Sequence, residues 1–173
     1  MHETSLNRTI IDYLTGHEIE ETTFEELRQG IARMLVEAKQ YPREAICPKL
    51  TRIFSPGPDT FTATIDFAVF LAGQPWLAIY FCAGSIGTFI RQNLALSRIW
   101  LPPFPLTLVT DSRNAQLLTT ADGQLVCEGY NAFPSWLSLG QITAPPVALT
   151  PQQREMETRI ASAYINLGCG CGG

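Results

Sequence analysis

The sequence predicts an α/β domain built on a mixed β-sheet, and three observations carry that prediction. Apolar residues at helical spacing follow two overlapping capping boxes, Thr22-x-x-Glu25 and Thr23-x-x-Glu26. Three runs rich in β-branched and aromatic residues lie between Lys49 and Cys82. A second helical segment then separates the last of these from a further strand-like run, and a helix between two strands implies a crossover and one parallel pair.

Element by element, Phe24, Leu27, Ile31, Met34, Leu35 and Ala38 predict a helix over 23–39 that Tyr41-Pro42 closes. Lys49 to Phe54 reads as a short strand before the turn Ser55-Pro56-Gly57-Pro58. Thr60–Leu71 and Trp76–Cys82 read as a hairpin around Gly73-Gln74-Pro75. Ile90, Leu94, Leu96 and Ile99 predict a helix over 89–100 that Pro102-Pro103 ends. Leu106–Thr110, Ala115–Thr119 and Leu125–Glu128 are further strands, the last two joined by a tight turn at Ala121-Asp122-Gly123. Residues 130–149 read as loop, and Thr150-Pro151-Gln152-Gln153 opens a terminal helix. Residues 1–149 thus form the body of one domain, to which 150–173 adds a helix and a Gly/Cys tail.

A chain of 173 residues with 46% hydrophobic and 16% charged residues supports one full core. Its net charge of −4 and pI of about 5.1 argue against tight binding to nucleic acid through phosphate neutralisation alone. Phe67–Ile90 carries no charge, but Gly73-Gln74-Pro75 divides it into halves too short to span a bilayer, so no membrane partner is expected. Charged residues near the N-terminus give no export signal, which makes the cytoplasm the expected compartment. Cys47, Cys82 and Cys127 read as packed thiols. Cys169 and Cys171 supply two of the four ligands of a thiolate metal site, with His2, His17 or a second copy of the chain left to complete it. The plainer reading of that pair is a glycine-rich tail with exposed thiols.

The order helix, strand, strand, strand, helix, strand, with Glu25-x-x-Arg28-Gln29 on the first helix, resembles the restriction-endonuclease-like PD-(D/E)XK fold. Tyr41-Pro42, Ile65-Asp66-Phe67, Gly84-Ser85-Ile86 and the segment from Arg91 to Arg98 sharpen the resemblance. They are similar to the N-terminal domain of type I restriction enzyme R subunits and to related small stand-alone bacterial proteins. The resemblance covers roughly residues 10–130. It implies a mixed sheet with helices on both faces and a site of acidic side chains that hold a divalent cation, with a lysine that positions the attacking water. It assigns Glu25 and Asp66 to the acids, whereas the expected second acid and lysine fall on Ile79 and Phe81.

Because Ile79 and Phe81 lie two apart on one strand, they project to the face where metal and water would sit, and that face becomes apolar. Loss of cleavage and retention as a binding or assembly module is therefore the expected function, with no cofactor. The alternative is a magnesium-dependent endonuclease rebuilt on Glu25, Asp66 and a migrated Lys49. Arg28, Gln29, Arg91 and Gln92 are the candidates for a phosphate-facing groove. Each has a structural alternative: Asp66 bonded to backbone or an arginine, Glu25 as a capping acid, Arg28 paired with Glu25 at i, i+3. The expected partner is a protein or weakly held DNA, with a homodimer as a further possibility.

Overall fold

A computed structural model describes residues 3–55, 60–111 and 113–169. The chain is mixed α/β. An N-terminal hairpin, β1 (Ser5–Ile11) and β2 (Glu18–Thr22), precedes α1 (Glu25–Arg33) and a π-helical turn over Met34–Ala38. Next come β3 (Ile46–Phe54), β4 (Phe61–Leu71), β5 (Gln74–Phe81), α2 (Ile86–Ile99), β6 (Leu106–Thr110), β7 (Ala115–Thr119) and β8 (Leu125–Glu128). A one-turn helix, α3 (Trp136–Leu139), and α4 (Pro151–Cys169) complete the chain.

Strands β3 to β8 form one six-stranded sheet in sequence order, antiparallel throughout except for the parallel pair β5–β6. The expected crossover through α2 creates that pair. Ile31, Ala32 and Leu35 of the first helical segment pack on one face of the sheet, against Leu77, Ile79 and Leu108. Ala95, Leu96 and Ile99 of α2, with Ala161 of α4, cover the other face over Ala78 and Tyr80. Trp100 and Phe104 are buried there too and serve as core.

Two expectations need correction. The capping boxes at Thr22 and Thr23 are not used: α1 starts at Glu25 after Phe24, with no side-chain cap. The Thr22 hydroxyl instead bonds Glu3, and Thr23 Oγ1 accepts the Thr4 N–H at 3.3 Å, so both threonines pin the N-terminal segment. The hairpin β1–β2 is itself an addition to the predicted elements. Between β4 and β5 the turn is Ala72-Gly73, both at positive φ (50° and 77°), the two-residue geometry that matches strand twist. Pro75 accordingly sits inside β5, where the ladder shifts register between Val69 and Phe70.

The capping box predicted for the terminal helix does form: Thr150 N–H donates to Gln153 Oε1 at 2.9 Å, and Gln153 N–H to Thr150 Oγ1 at 3.2 Å. Among the described residues, no helix is long and apolar enough to cross a membrane. Helix α4 is fastened to α2 by Glu157, a buried carboxylate that accepts from Arg91 at 2.6 Å and Arg98 at 2.9 Å. Removing it leaves two arginines facing each other without a counter-charge. Glu157→Ala is expected to lower stability by about 2–3 kcal/mol and to make α4 the first site of limited proteolysis. Urea denaturation with mapping of the first cleavage checks this, and an unchanged midpoint would refute it.

Candidate functional site

The alternation of β4 breaks at Asp66. Phe61, Ala63 and Ile65 belong to the α2-side core, yet Phe67 and Val69 belong to the α1-side core, so the strand changes faces across one residue. Neighbouring β3 does the same. Ile46 packs on the α1 side, whereas Leu50, four residues on and of the same parity, packs on the α2 side. The switch coincides with Lys49, which holds φ at 49°, a left-handed backbone that costs a non-glycine residue about 1 kcal/mol. Such strain persists only where surrounding contacts impose it.

Those contacts begin with the Asp66 carboxylate. Its Oδ2 accepts the backbone N–H of Phe81 at 2.8 Å. Because the next N–H, of Cys82, turns to Thr110 O on the β6 side, the Phe81 N–H faces β4, where it would extend the ladder. Asp66 takes that hydrogen bond instead, and β4–β5 pairing ends at Phe67 opposite Ile79. The other oxygen, Oδ1, accepts Arg28 Nε at 2.6 Å.

Arg28 reaches three carboxylates from α1. Besides Asp66, its Nη2 donates to Glu3 Oε2 at 2.9 Å, its Nη1 also bonds Glu3, and Nη1 lies 3.4 Å from Glu25 Oε2. Lys49 Nζ donates to the same Glu25 oxygen at 2.7 Å, and Gln29 Nε2 donates to Glu25 Oε1 at 3.1 Å. Gln29 continues the chain: Nε2 donates to Asp12 Oδ2 at 2.9 Å, and Oε1 accepts the Tyr13 N–H at 2.7 Å. The Arg28 guanidinium also lies 5.9 Å from the centroid of the Phe81 ring, which packs on Phe24.

The electrostatics follow from burial and pairing. Burial pushes the Asp66 carboxyl above the ordinary carboxylate range, against the pull of Arg28 and of the Phe81 N–H. The hydrogen bond from Arg28 holds Glu3 below that range. Burial opposes the charge on Arg28, but its bonds to Glu3 and Asp66 outweigh this and raise its pKa.

The fold thus brings Glu25, Asp66, Lys49, Arg28 and Gln29 together and adds Glu3 and Asp12. Both readings of Asp66 as a satisfied strand carboxylate hold at once, since it bonds an arginine and a backbone amide. Ile79 is fully buried in the α1-side core, and Phe81 contributes its ring and its N–H. Arg91 does not join Arg28 and Gln29, because it is bound to Glu157, whereas Gln92 lines a cleft that Arg28 also borders. Cys169 is the last residue of α4 and Cys171 lies outside the described residues, so the proposed thiolate pair cannot be placed. Two hollows flank the Arg28–Asp66 pair. One of about 240 Å³ is lined by Asp12, His17, Glu25 and Lys49, and one of about 390 Å³ opens between β4, the end of β5 and α2.

Magnesium does not fit this arrangement. Both Asp66 oxygens and both Glu25 oxygens already accept from cationic or amide donors, and a guanidinium stands between the two acids. Among the described residues, no group of three or more His, Cys, Asp or Glu side chains is placed to hold a metal ion. No protein-family model matches the chain, nor does any curated protein or solved structure.

Arg28→Met is expected to destabilise the protein by about 3 kcal/mol at neutral pH, since it strands the carboxylates of Glu3 and Asp66. The penalty shrinks on acidification. Glu3, with its folded pKa lowered by Arg28, lends stability above its unfolded pKa of about 4.3 and loses it as pH falls through the folded value. Parallel denaturation of wild type and variant from pH 7 to pH 3.5 checks the sign. A gap that widens with acid would refute it.

Proposed function

We propose that the chain is a degenerate relative of PD-(D/E)XK nucleases, akin to the N-terminal domain of type I restriction R subunits, that no longer cuts phosphodiesters and serves as a binding or assembly module. The order α1, β3, β4, β5, α2, β6, with an antiparallel meander followed by a parallel crossover strand and an acid on the second sheet strand, supports the kinship. Fold kinship alone does not assign activity, so the argument rests on the site.

One observation carries the loss of cleavage: the Arg28 guanidinium engages both Asp66 and Glu25, the two acids such chemistry requires for a cation. A positive charge fixed there repels a divalent metal and neutralises the carboxylates that would bind it. Ile79 and Phe81 then leave no acid and no lysine on the adjoining strand to restore the centre. A protein partner suits the charge distribution better than DNA. Arg28 and Arg91, the cations proposed for a phosphate groove, are each matched by internal carboxylates, and the chain as a whole carries −4.

A second reading, a rearranged nuclease, draws its support from Lys49, which does reach the acidic cluster 2.7 Å from Glu25. The decisive measurement is cleavage of supercoiled and linear DNA with magnesium and with manganese, wild type beside Asp66→Ala purified identically. The expected outcome is no cleavage by either protein. Metal-dependent cleavage that Asp66→Ala abolishes would overturn the proposal and restore the nuclease.

A further inference from the structure

Leu27, Ile31 and Met34 share the apolar stripe of the first helical segment, but the sheet does not cover all of it. Ile31 packs into the core, whereas Leu27 remains 42% exposed. Beside them runs a groove of about 290 Å³, at the lower end of the range for small-ligand sites. Buried Phe133 borders it from the segment after β8, and Tyr130, 63% exposed, stands on the same side. From Leu27 to Met34 the helix axis advances about 10 Å, comparable to an extended eight-carbon chain.

Gly30 is the unexplained residue of this groove. It lies inside α1, where only proline is a poorer helix former, and its backbone is helical, so no positive φ calls for glycine. A Cβ at this position would meet nothing within 4 Å, so no internal contact requires its absence either. The missing side chain leaves a notch between Leu27 and Met34 that opens on the groove.

The lining holds no carboxylate and one charged group, Arg113. Arg113 enters no ion pair among the described residues. Asp111, two residues before it, accepts the backbone N–H groups of Arg113 and Asn114 at 3.0 and 2.8 Å. Lys39 lies outside the lining, with its ammonium 3.8 Å from the centroid of the Tyr130 ring, and adds to the positive field. In a chain of net charge −4 whose Arg28, Lys49, Arg91 and Arg98 are all matched by carboxylates, this is an unmatched positive site.

Apolar walls select an aliphatic body, and the guanidinium selects an anionic head, which a carboxylate fits bidentately. One lining guanidinium balances the single charge of a carboxylate, whereas a phosphate monoester carries nearly two. The groove spans two helical turns and so holds one chain, not the apolar face of a docked helix, whose anchors recur over several turns. We propose that this groove binds a free medium-chain aliphatic carboxylate, its chain lying over Gly30 and its head group on Arg113. It shares no lining residue with the hollows beside the Arg28–Asp66 pair, so the inference goes beyond the proposed loss of cleavage and stands without it.

The test is calorimetric titration of the full chain with octanoate, with hexanoate, and with octanamide, which keeps the chain but carries no charge. Saturable octanoate binding is expected. Hexanoate should bind about tenfold more weakly, because two fewer methylenes are buried, and octanamide about tenfold more weakly, because it forms no ion pair with Arg113. Gly30→Leu fills the notch, so octanoate affinity is expected to fall about tenfold while Tm holds or rises, leucine being the better helix former. Arg113→Met is expected to lower octanoate affinity about tenfold and to leave octanamide binding unchanged. No saturable octanoate binding, or equal affinity for octanoate and octanamide, overturns the proposal even if a variant fails to fold. Unchanged octanoate affinity in folded Gly30→Leu overturns it too. These titrations do not read DNA cleavage, so the two proposals fail separately.

Discussion

The Asp66 carboxylate holds together parts of the chain that are far apart in sequence. One oxygen caps the last N–H of β5 that faces β4, and the other receives Arg28 from α1. The sheet is thereby joined to the helix above it. Through Arg28 the same bond fixes Glu3, and through Glu25 and Gln29 it fixes the turn of the N-terminal hairpin. The change of face on β3 and β4, the left-handed Lys49 and the parting of β4 from β5 all occur at this residue's level in the sheet. A neutral or displaced side chain at 66 would leave a buried guanidinium without its closest sheet partner and reopen the question of where the ladder ends.

Viewed as charge, the acidic centre is nearly self-contained. Four carboxylates, from Glu3, Asp12, Glu25 and Asp66, share two cations and one amide, and each contact is internal to the domain. The same economy recurs on the far face, where Glu157 takes up Arg91 and Arg98. Cations that stand out in the sequence are therefore not cations that the surface offers. This is why a list of arginines is a weak guide to phosphate binding: the field a partner meets depends on what already faces each guanidinium.

Much of the architecture was legible in the sequence. Strands β4 to β8, helix α2 and the capped start of α4 fall close to where β-branched runs, helical spacing and turn residues put them, because those signals are local. The hairpin β1–β2 leaves little trace in the sequence, since β1, SLNRTII, is exposed over most of its length and lacks an apolar stripe. The alternation in Glu18-Ile19-Glu20 and the turn glycine Gly16, at φ 72°, were the signals available. Glu3 and Asp12, which this hairpin and the segment leading into it deliver to the site, are equally silent in the sequence. Glu25, Arg28, Asp66 and Lys49 were legible as residue types, but helical spacing offers Arg28 only the local partner Glu25. Its bonds to Glu3 and Asp66 span 25 and 38 residues. Helix periodicity carries no information at that range, and a backbone donor such as the Phe81 N–H leaves no trace in residue identity.

Lys49 has one more consequence. β3 is one of the two outer strands of the six-stranded sheet, and an outer strand with a free row of amides and carbonyls invites pairing with another molecule. Here Pro48 withholds one donor and the left-handed turn at Lys49 bends the row midway, with a charged side chain at the bend. The distortion that serves the interior centre also blunts the sheet's open border. The same residue thus guards the molecule against edge-to-edge aggregation.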